Sequence, residues 1–231
     1  MSGLKPPLII VNFKTYMEST GRRAVELARK CEKVSRELGV NVAVAPQAVD
    51  LARVASEVST PVLAQHVDPY TPGAHTGSIL IEAVKEAGAV GTLVNHSEKR
   101  LRADEIDEIV KRASSLGLEV VICANTPEVA ASLSAFNPAF IAIEPPELIG
   151  TGRAVSKAKP EVITDTINLI RRVNPKVVVI CGAGITNGFD VEAAIKLGTE
   201  GVLVASGVVK ARDQEAAVRD LAEGLLRALK S

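Results

Sequence analysis

Phe140-Ile141-Ala142-Ile143-Glu144-Pro145-Pro146 is a run of four apolar residues closed by a carboxylate and then by two prolines. Apolar side chains at every position, rather than every second one, describe a strand covered on both faces, as in parallel sheets packed between helices. The prolines end the strand, because they cannot donate to a ladder. Working outward, seven further β-branched runs have the same character: Leu8–Val11, Val42–Ala45, Val62–Ala64, Val90–Val94, Glu119–Cys123, Val177–Ile180 and Val202–Val204. Helical stripes lie between them at Ala24/Leu27/Ala28/Cys31, Leu80/Ala83/Val84/Ala87, Ile106/Ile109/Val110/Ala113, Ile163/Thr166/Ile167/Ile170 and Val218/Leu221/Ala222/Leu225. Thr126-Pro127 and Lys159-Pro160 suit helix starts, and Gly39, Gly88, Gly117 and Gly198 suit helix stops. Spread over eight runs, 231 residues give about 29 per unit, the length of a strand, a crossover helix and a return. Eight such units close into a barrel. The expectation is one (β/α)8 domain over residues 1–231 with no room for a second. An open doubly wound sheet is the alternative, and it places chemistry at one switch point instead of around a ring of loops.

Composition narrows the function classes. The chain has 27 Lys+Arg against 27 Asp+Glu and 47% hydrophobic residues, so it is neither disordered nor strongly charged. A formal net charge of +0 provides no field for nucleic acid or for an anionic membrane surface. The N-terminal Met1-Ser2-Gly3-Leu4-Lys5-Pro6-Pro7 lacks the apolar core of an export signal, which leads to the expectation of a cytoplasmic protein. Cys31, Cys123 and Cys181 are too scattered for a disulfide framework or a metal knuckle, and read as small buried hydrophobes. His66 and His75 have no metal-ligand spacing.

Polar residues directly after the strands decide between the two architectures. Asn12 and Lys14 follow the first run, His96 and Glu98 the fourth, and Glu144 the sixth. Only closure of a ring brings them together. A lysine beside a neutral imidazole and a carboxylate suits proton abstraction next to a carbonyl: a base for the carbon acid and donors for the oxyanion. Each residue also has a plain structural reading. Lys14 could be a solvated loop charge, His96 a histidine satisfied by backbone at a helix opening over Ser97-Glu98, and Glu144 half of a buried ion pair. The stretch at about 145–153, with two prolines and the Gly150-Thr151-Gly152 tip, reads as a hinged lid. Cys181-Gly182-Ala183-Gly184 and Ala205-Ser206-Gly207 follow the last two strands, where barrel enzymes often hold phosphate on backbone N–H groups.

Taken in order, Asn12-Phe13-Lys14, Gly73-Ala74-His75-Thr76-Gly77, Asn95-His96-Ser97-Glu98-Lys99-Arg100 and Glu144-Pro145 leading to Ile149-Gly150-Thr151-Gly152 resemble the triosephosphate isomerase family over nearly the whole chain. The length and Asp68-Pro69-Tyr70-Thr71-Pro72 look most like its compact archaeal branch. The resemblance implies a single (β/α)8 TIM barrel that interconverts dihydroxyacetone phosphate and glyceraldehyde 3-phosphate through an enediolate. By the same resemblance Glu144 is the base, a neutral His96 polarises the carbonyl, and Lys14 supplies positive charge. Asn12 adds a hydrogen bond, and Glu98 orients the lysine. Ile149, Gly150, Gly182, Ala183, Gly184, Ala205 and Ser206 would hold the phosphate. No metal and no organic cofactor is implied. The third loop, roughly Asp68 to Ser78, projects into a neighbouring subunit in the family, which implies a homo-oligomer and favours four subunits over two. This chain departs from the family at Phe13 and Glu147, where tryptophan is frequent. It also has Cys181-Gly182-Ala183-Gly184 in place of an aromatic-Gly-Gly-Ser loop and Ala205-Ser206 in place of paired glycines. Two other readings fit the same residues: an aldolase forming a Schiff base on Lys14, and a non-catalytic sugar-phosphate sensor.

Overall fold

A computed structural model describes residues 3–145 and 159–230. Its strands are β1 (Leu8–Asn12), β2 (Asn41–Ala45), β3 (Leu63–Ala64), β4 (Gly91–Val94), β5 (Glu119–Ala124), β6 (Phe140–Ile143), β7 (Val178–Cys181) and β8 (Gly201–Val204). All pair in parallel, in the order β2-β1-β8-β7-β6-β5-β4-β3. The ring closes where Val44 bridges Val62 and Val44 N–H donates to Pro61 O at 3.0 Å. This is a (β/α)8 barrel, not an open sheet, and every strand ends within one residue of the run read from sequence.

Closure explains the unbroken apolar runs. Alternate strand residues divide between two apolar layers. Leu8, Ile10, Ala43, Leu63, Leu93, Val121, Cys123, Phe140, Ala142, Ile180 and Leu203 fill the barrel interior. Ile9, Val11, Val42, Val44, Ile122, Ile141, Ile143, Val179 and Val202 face the helices. Neither face meets water, so a polar residue such as Thr92 persists there only with its hydroxyl donated to backbone carbonyls. The same alternation directs the strand ends. Phe140 and Ala142 point inward, and Glu144 is the next residue of that parity.

Among the described residues the helices are α1 (Arg22–Leu38), α2 (Leu51–Glu57), α3 (Ile81–Glu86), α4 (Ala103–Ser115), α5 (Pro127–Ser134), α6 (Pro160–Val173), α7 (Gly188–Lys196), α8 (Ser206–Val209) and α9 (Gln214–Lys230). The stripes expected on α1, α4, α6 and α9 are buried. Thr126 caps α5 by accepting from Val129 N–H at 3.3 Å. Gly198 leaves α7 at φ 101°, a conformation that a Cβ would strain. Two expectations need correction. On α3 the buried residues are Ile81 and Val84, and Ala83 is exposed, because six residues are too few for an apolar period to fix its own phase. No helix opens at Ser97-Glu98: Lys99 N–H to His96 O at 2.8 Å closes one turn, and α4 begins only at Ala103. The lid expected at about 145–153 lies outside the described residues except for Pro145.

Candidate active site

Lys14 is built into the barrel mouth by strain that its neighbours maintain. Its backbone is left-handed at φ 47°, which costs a non-glycine residue free energy and persists only where surroundings over-determine it. Asn12 Oδ1 accepts Lys14 N–H at 3.0 Å, Gln65 Nε2 donates to Lys14 O at 3.0 Å, and Lys14 Nζ donates to Glu98 Oε1 at 2.8 Å. The lysine side chain is 13% exposed and Glu98 is 60% exposed, so the solvated-loop reading fails for Lys14 while its partner stays in water.

His96 follows β4 and is buried. Its Nδ1 accepts Glu98 N–H at 3.2 Å, which places the proton of the neutral ring on Nε2. Burial, followed by the positive charge of Lys14, pushes the imidazole down to about 4; Glu98 opposes the shift, and Arg100 adds to it. The ring is therefore neutral at physiological pH. The reason is burial beside a cation, not the helix opening expected from sequence.

Glu144 is 1% exposed. Burial pushes its carboxyl up to about 7 against the opposing pull of the Cys123 thiol, Lys14, Arg100 and the Ser97 backbone N–H. Oε1 lies 3.5 Å from His96 Nε2, too far for a good hydrogen bond. Among the described residues Oε2 has no hydrogen-bond partner. A carboxylate kept for a structural ion pair would have a cation bonded to it at such burial, and among the described residues no lysine or arginine pairs with Glu144. Its neighbour Gly182 contributes an absence. A Cβ there would lie 2.5 Å from Glu144 Cγ and 3.2 Å from Oε1. We expect Gly182→Ala to fold but to lower kcat by about 100-fold, since displacements near 1 Å at a reacting group have that effect. Unchanged kcat in a folded variant would show that Glu144 has room to spare.

Asn12, Lys14, His96 and Glu144 open into one cavity of about 60 Å³ whose far wall is the Gly182–Gly184 and Ala205–Ser206 loops. A second cavity of about 450 Å³ continues past Lys14 and His96 to Glu98, Gln65 and His66. Three ionisable side chains from β1, β4 and β6 thus face one mouth. The family model described as triosephosphate isomerase matches residues 7–223. The chain belongs to the triosephosphate isomerase family. A triosephosphate isomerase of Methanothermus fervidus is 54% identical over 215 residues, 93% of this chain and 97% of that protein. One of Methanocaldococcus jannaschii is 51% identical over 214 residues, 93% of this chain and 98% of its own. One of Pyrobaculum arsenaticum is 51% identical over 224 residues, 97% and 100% respectively.

Family membership does not say how this chain arranges its loops. Gly182 N–H is already donated to Ile143 O at 2.9 Å, so that amide is committed to the ladder rather than to a ligand. Thr186 N–H and Oγ1 are both held by Asp190 Oδ2, at 3.0 and 2.7 Å, which fixes the loop from behind. Ile149 and Gly150 lie outside the described residues. Sequence reading overlooked Gln65, whose side-chain amide also donates to Ala45 O at 2.9 Å and so ties β2 to the Lys14 turn. Its signal was available, since it directly follows the third run. Among the described residues no group of three or more His, Cys, Asp or Glu side chains could hold a metal ion.

Proposed function

We propose that Glu144, His96 and Lys14 carry out the interconversion of dihydroxyacetone phosphate and glyceraldehyde 3-phosphate, the isomerisation that membership of the family gives this chain. Glu144 carboxylate takes a proton from the carbon next to the carbonyl, and the C–H electron pair becomes the double bond of an enediolate. His96 Nε2–H donates to the carbonyl oxygen as charge develops there, with Lys14 Nζ adding positive potential and Asn12 a further hydrogen bond. His96 then carries the hydroxyl proton from the neighbouring oxygen to the former carbonyl oxygen, and Glu144 returns its proton to the former carbonyl carbon, so that the C=O bond reforms on the neighbouring carbon. The observation that carries this reading is a buried carboxylate with a raised pKa, one oxygen of which has no hydrogen-bond partner among the described residues, facing a neutral imidazole whose remaining proton points toward it. Glu98 keeps the lysine in place at 2.8 Å.

Phosphate binding in this reading falls to the amides of Ala183, Gly184, Ala205 and Ser206, with Ile149 and Gly150 contributing from the lid at about 145–153. Gly182 clears space for the base. The Schiff-base alternative is weaker because Lys14 Nζ is held in an ion pair with Glu98, whereas a nucleophilic amine needs its lone pair free. The reading places a single-domain protein in the cytoplasm and in glycolysis and gluconeogenesis, as a homo-oligomer joined through the 68–78 loop, with four subunits favoured over two. It assigns no nucleic-acid or membrane partner. Among the described residues no helix is long and apolar enough to cross a membrane.

A coupled assay with glyceraldehyde 3-phosphate tests the reaction, and its pH dependence tests the base. A carboxylate is the basic form, so kcat/KM should rise as pH passes upward through about 7 and level off above it. The second ionisation of the substrate phosphate, near pH ~6, adds a separate limb below. A profile flat from pH 8 down to 6.5 would show that the base does not titrate near 7.

A further inference from the structure

Asn95 immediately precedes His96 and plays no part in the reaction just described, yet it is the most heavily tied residue of that turn. It is 6% exposed and left-handed at φ 57°, a conformation that asparagine tolerates better than most residues. β4 ends at Val94, which pairs with Ile122 of β5. One step further the backbone turns away and the Asn95 side chain takes over the pairing: Nδ2 donates to Cys123 O at 2.9 Å. Oδ1 accepts Leu101 N–H at 3.0 Å, and the Asn95 carbonyl accepts from Arg100 Nη1 at 2.9 Å. The next carbonyl of β5, Ala124 O, accepts Glu144 N–H at 2.7 Å. Two consecutive carbonyls at the end of one strand therefore hold the residue before His96 and the backbone of Glu144.

From this arrangement we infer that Asn95 is a positioning residue for the isomerisation, a side-chain clamp that fixes the His96 ring against Glu144 through the end of β5. The inference rests on the functional reading above and adds a residue to it. The 3.5 Å separation of His96 Nε2 and Glu144 Oε1 spans two different strands, and no direct bond sets it. The shared β5 carbonyls give both groups one reference point. The Leu101 and Arg100 bonds fix the far side of the same turn, so the loop cannot rotate about Val94 without breaking them. A buried amide with donor and acceptor both used is costly to leave half-made, so the clamp has one low-energy geometry.

Asn95→Gly tests this, because glycine adopts φ near +57° without steric cost while losing both side-chain bonds. The wild-type chain is first shown to turn over glyceraldehyde 3-phosphate. In the variant, kcat should fall roughly 10- to 100-fold with KM within about threefold, since Asn95 touches no substrate atom. The 15N signals of the His96 ring should change as Nδ1 loses its fixed acceptor geometry, and the imidazole pKa should move up toward the ordinary range. Wild-type kcat, or a loss of thermal stability with unchanged His96 signals, would overturn the inference. If the variant does not fold, the wild-type protein decides: slow exchange of the Asn95 side-chain amide protons supports the clamp, and fast exchange refutes it. Absence of isomerase activity in the wild type would count against the functional reading, while the His96 spectra of the variant would still judge the clamp.

Discussion

Glu144→Gln should lose about 10³- to 10⁴-fold in kcat with the fold intact, the upper part of the range for removing one well-placed base. The substitution preserves shape, so lost turnover reports chemistry and not packing. It should also change stability in a direction opposite to most core substitutions. The Glu144 carboxyl is raised from an ordinary 4.5 to about 7 in the fold. The folded protein therefore binds more protons than the unfolded chain between those values. Stability from this group is present below pH 4.5 and is lost as pH rises through about 7. A gap of that size corresponds to about 3 kcal/mol. His96 runs the other way: lowered to about 4, it adds stability above pH 6.5 that is lost as pH falls through about 4. The two effects oppose each other across the mildly acidic range, leaving Glu144 exposed as a cost at pH 7 and above. Glu144→Gln removes only that cost. Between pH 5 and pH 8 its Tm should gain on wild type by on the order of 10 °C. A constant difference across that range would mean that the carboxylate is not strained by burial, and near-normal kcat would mean that it is not the base.

His96→Gln is expected to cost about 10²- to 10³-fold in kcat, the usual effect of removing one donor aimed at a developing oxyanion. Glutamine keeps an N–H but cannot place it where Nε2 lies while also accepting from Glu98 N–H. The neutral state is the part most open to measurement. The chain has only three histidines, so His66 and His75 are easily told apart from it in an NMR titration. His96 should remain uncharged down to about pH 4. A positively charged ring at pH 7 would refute its role as a neutral donor. In Lys14-deficient variants the imidazole pKa should move up, because the lysine charge is the second cause of its depression.

The barrel itself was legible because each strand is apolar at nearly every position, and only a covered parallel sheet tolerates that eight times in one chain. The polar site residues were legible because Asn12, Lys14, His96 and Glu144 each stand just past such a run, where a polar residue has no packing reason to be. Three things were not legible. The phase of α3 was misread from Leu80 and Ala83 because six residues do not average out a period. The His96 turn was mistaken for a helix opening, since Ser97-Glu98 looks the same in both cases. Gly182 resembled a phosphate loop, and only proximity shows that its missing Cβ makes room for Glu144.

Sequence alone determined the eight strand–helix units and the set of groups available for acid–base chemistry, because these follow from local period and from which side chains ionise. The tertiary structure alone decided the protonation states. The carboxyl at about 7 arises from water exclusion against the pull of Lys14, and the imidazole at about 4 from water exclusion with Lys14 adding to it from more than eighty positions away. Burial and through-space charge depend on distances that no stretch of chain contains.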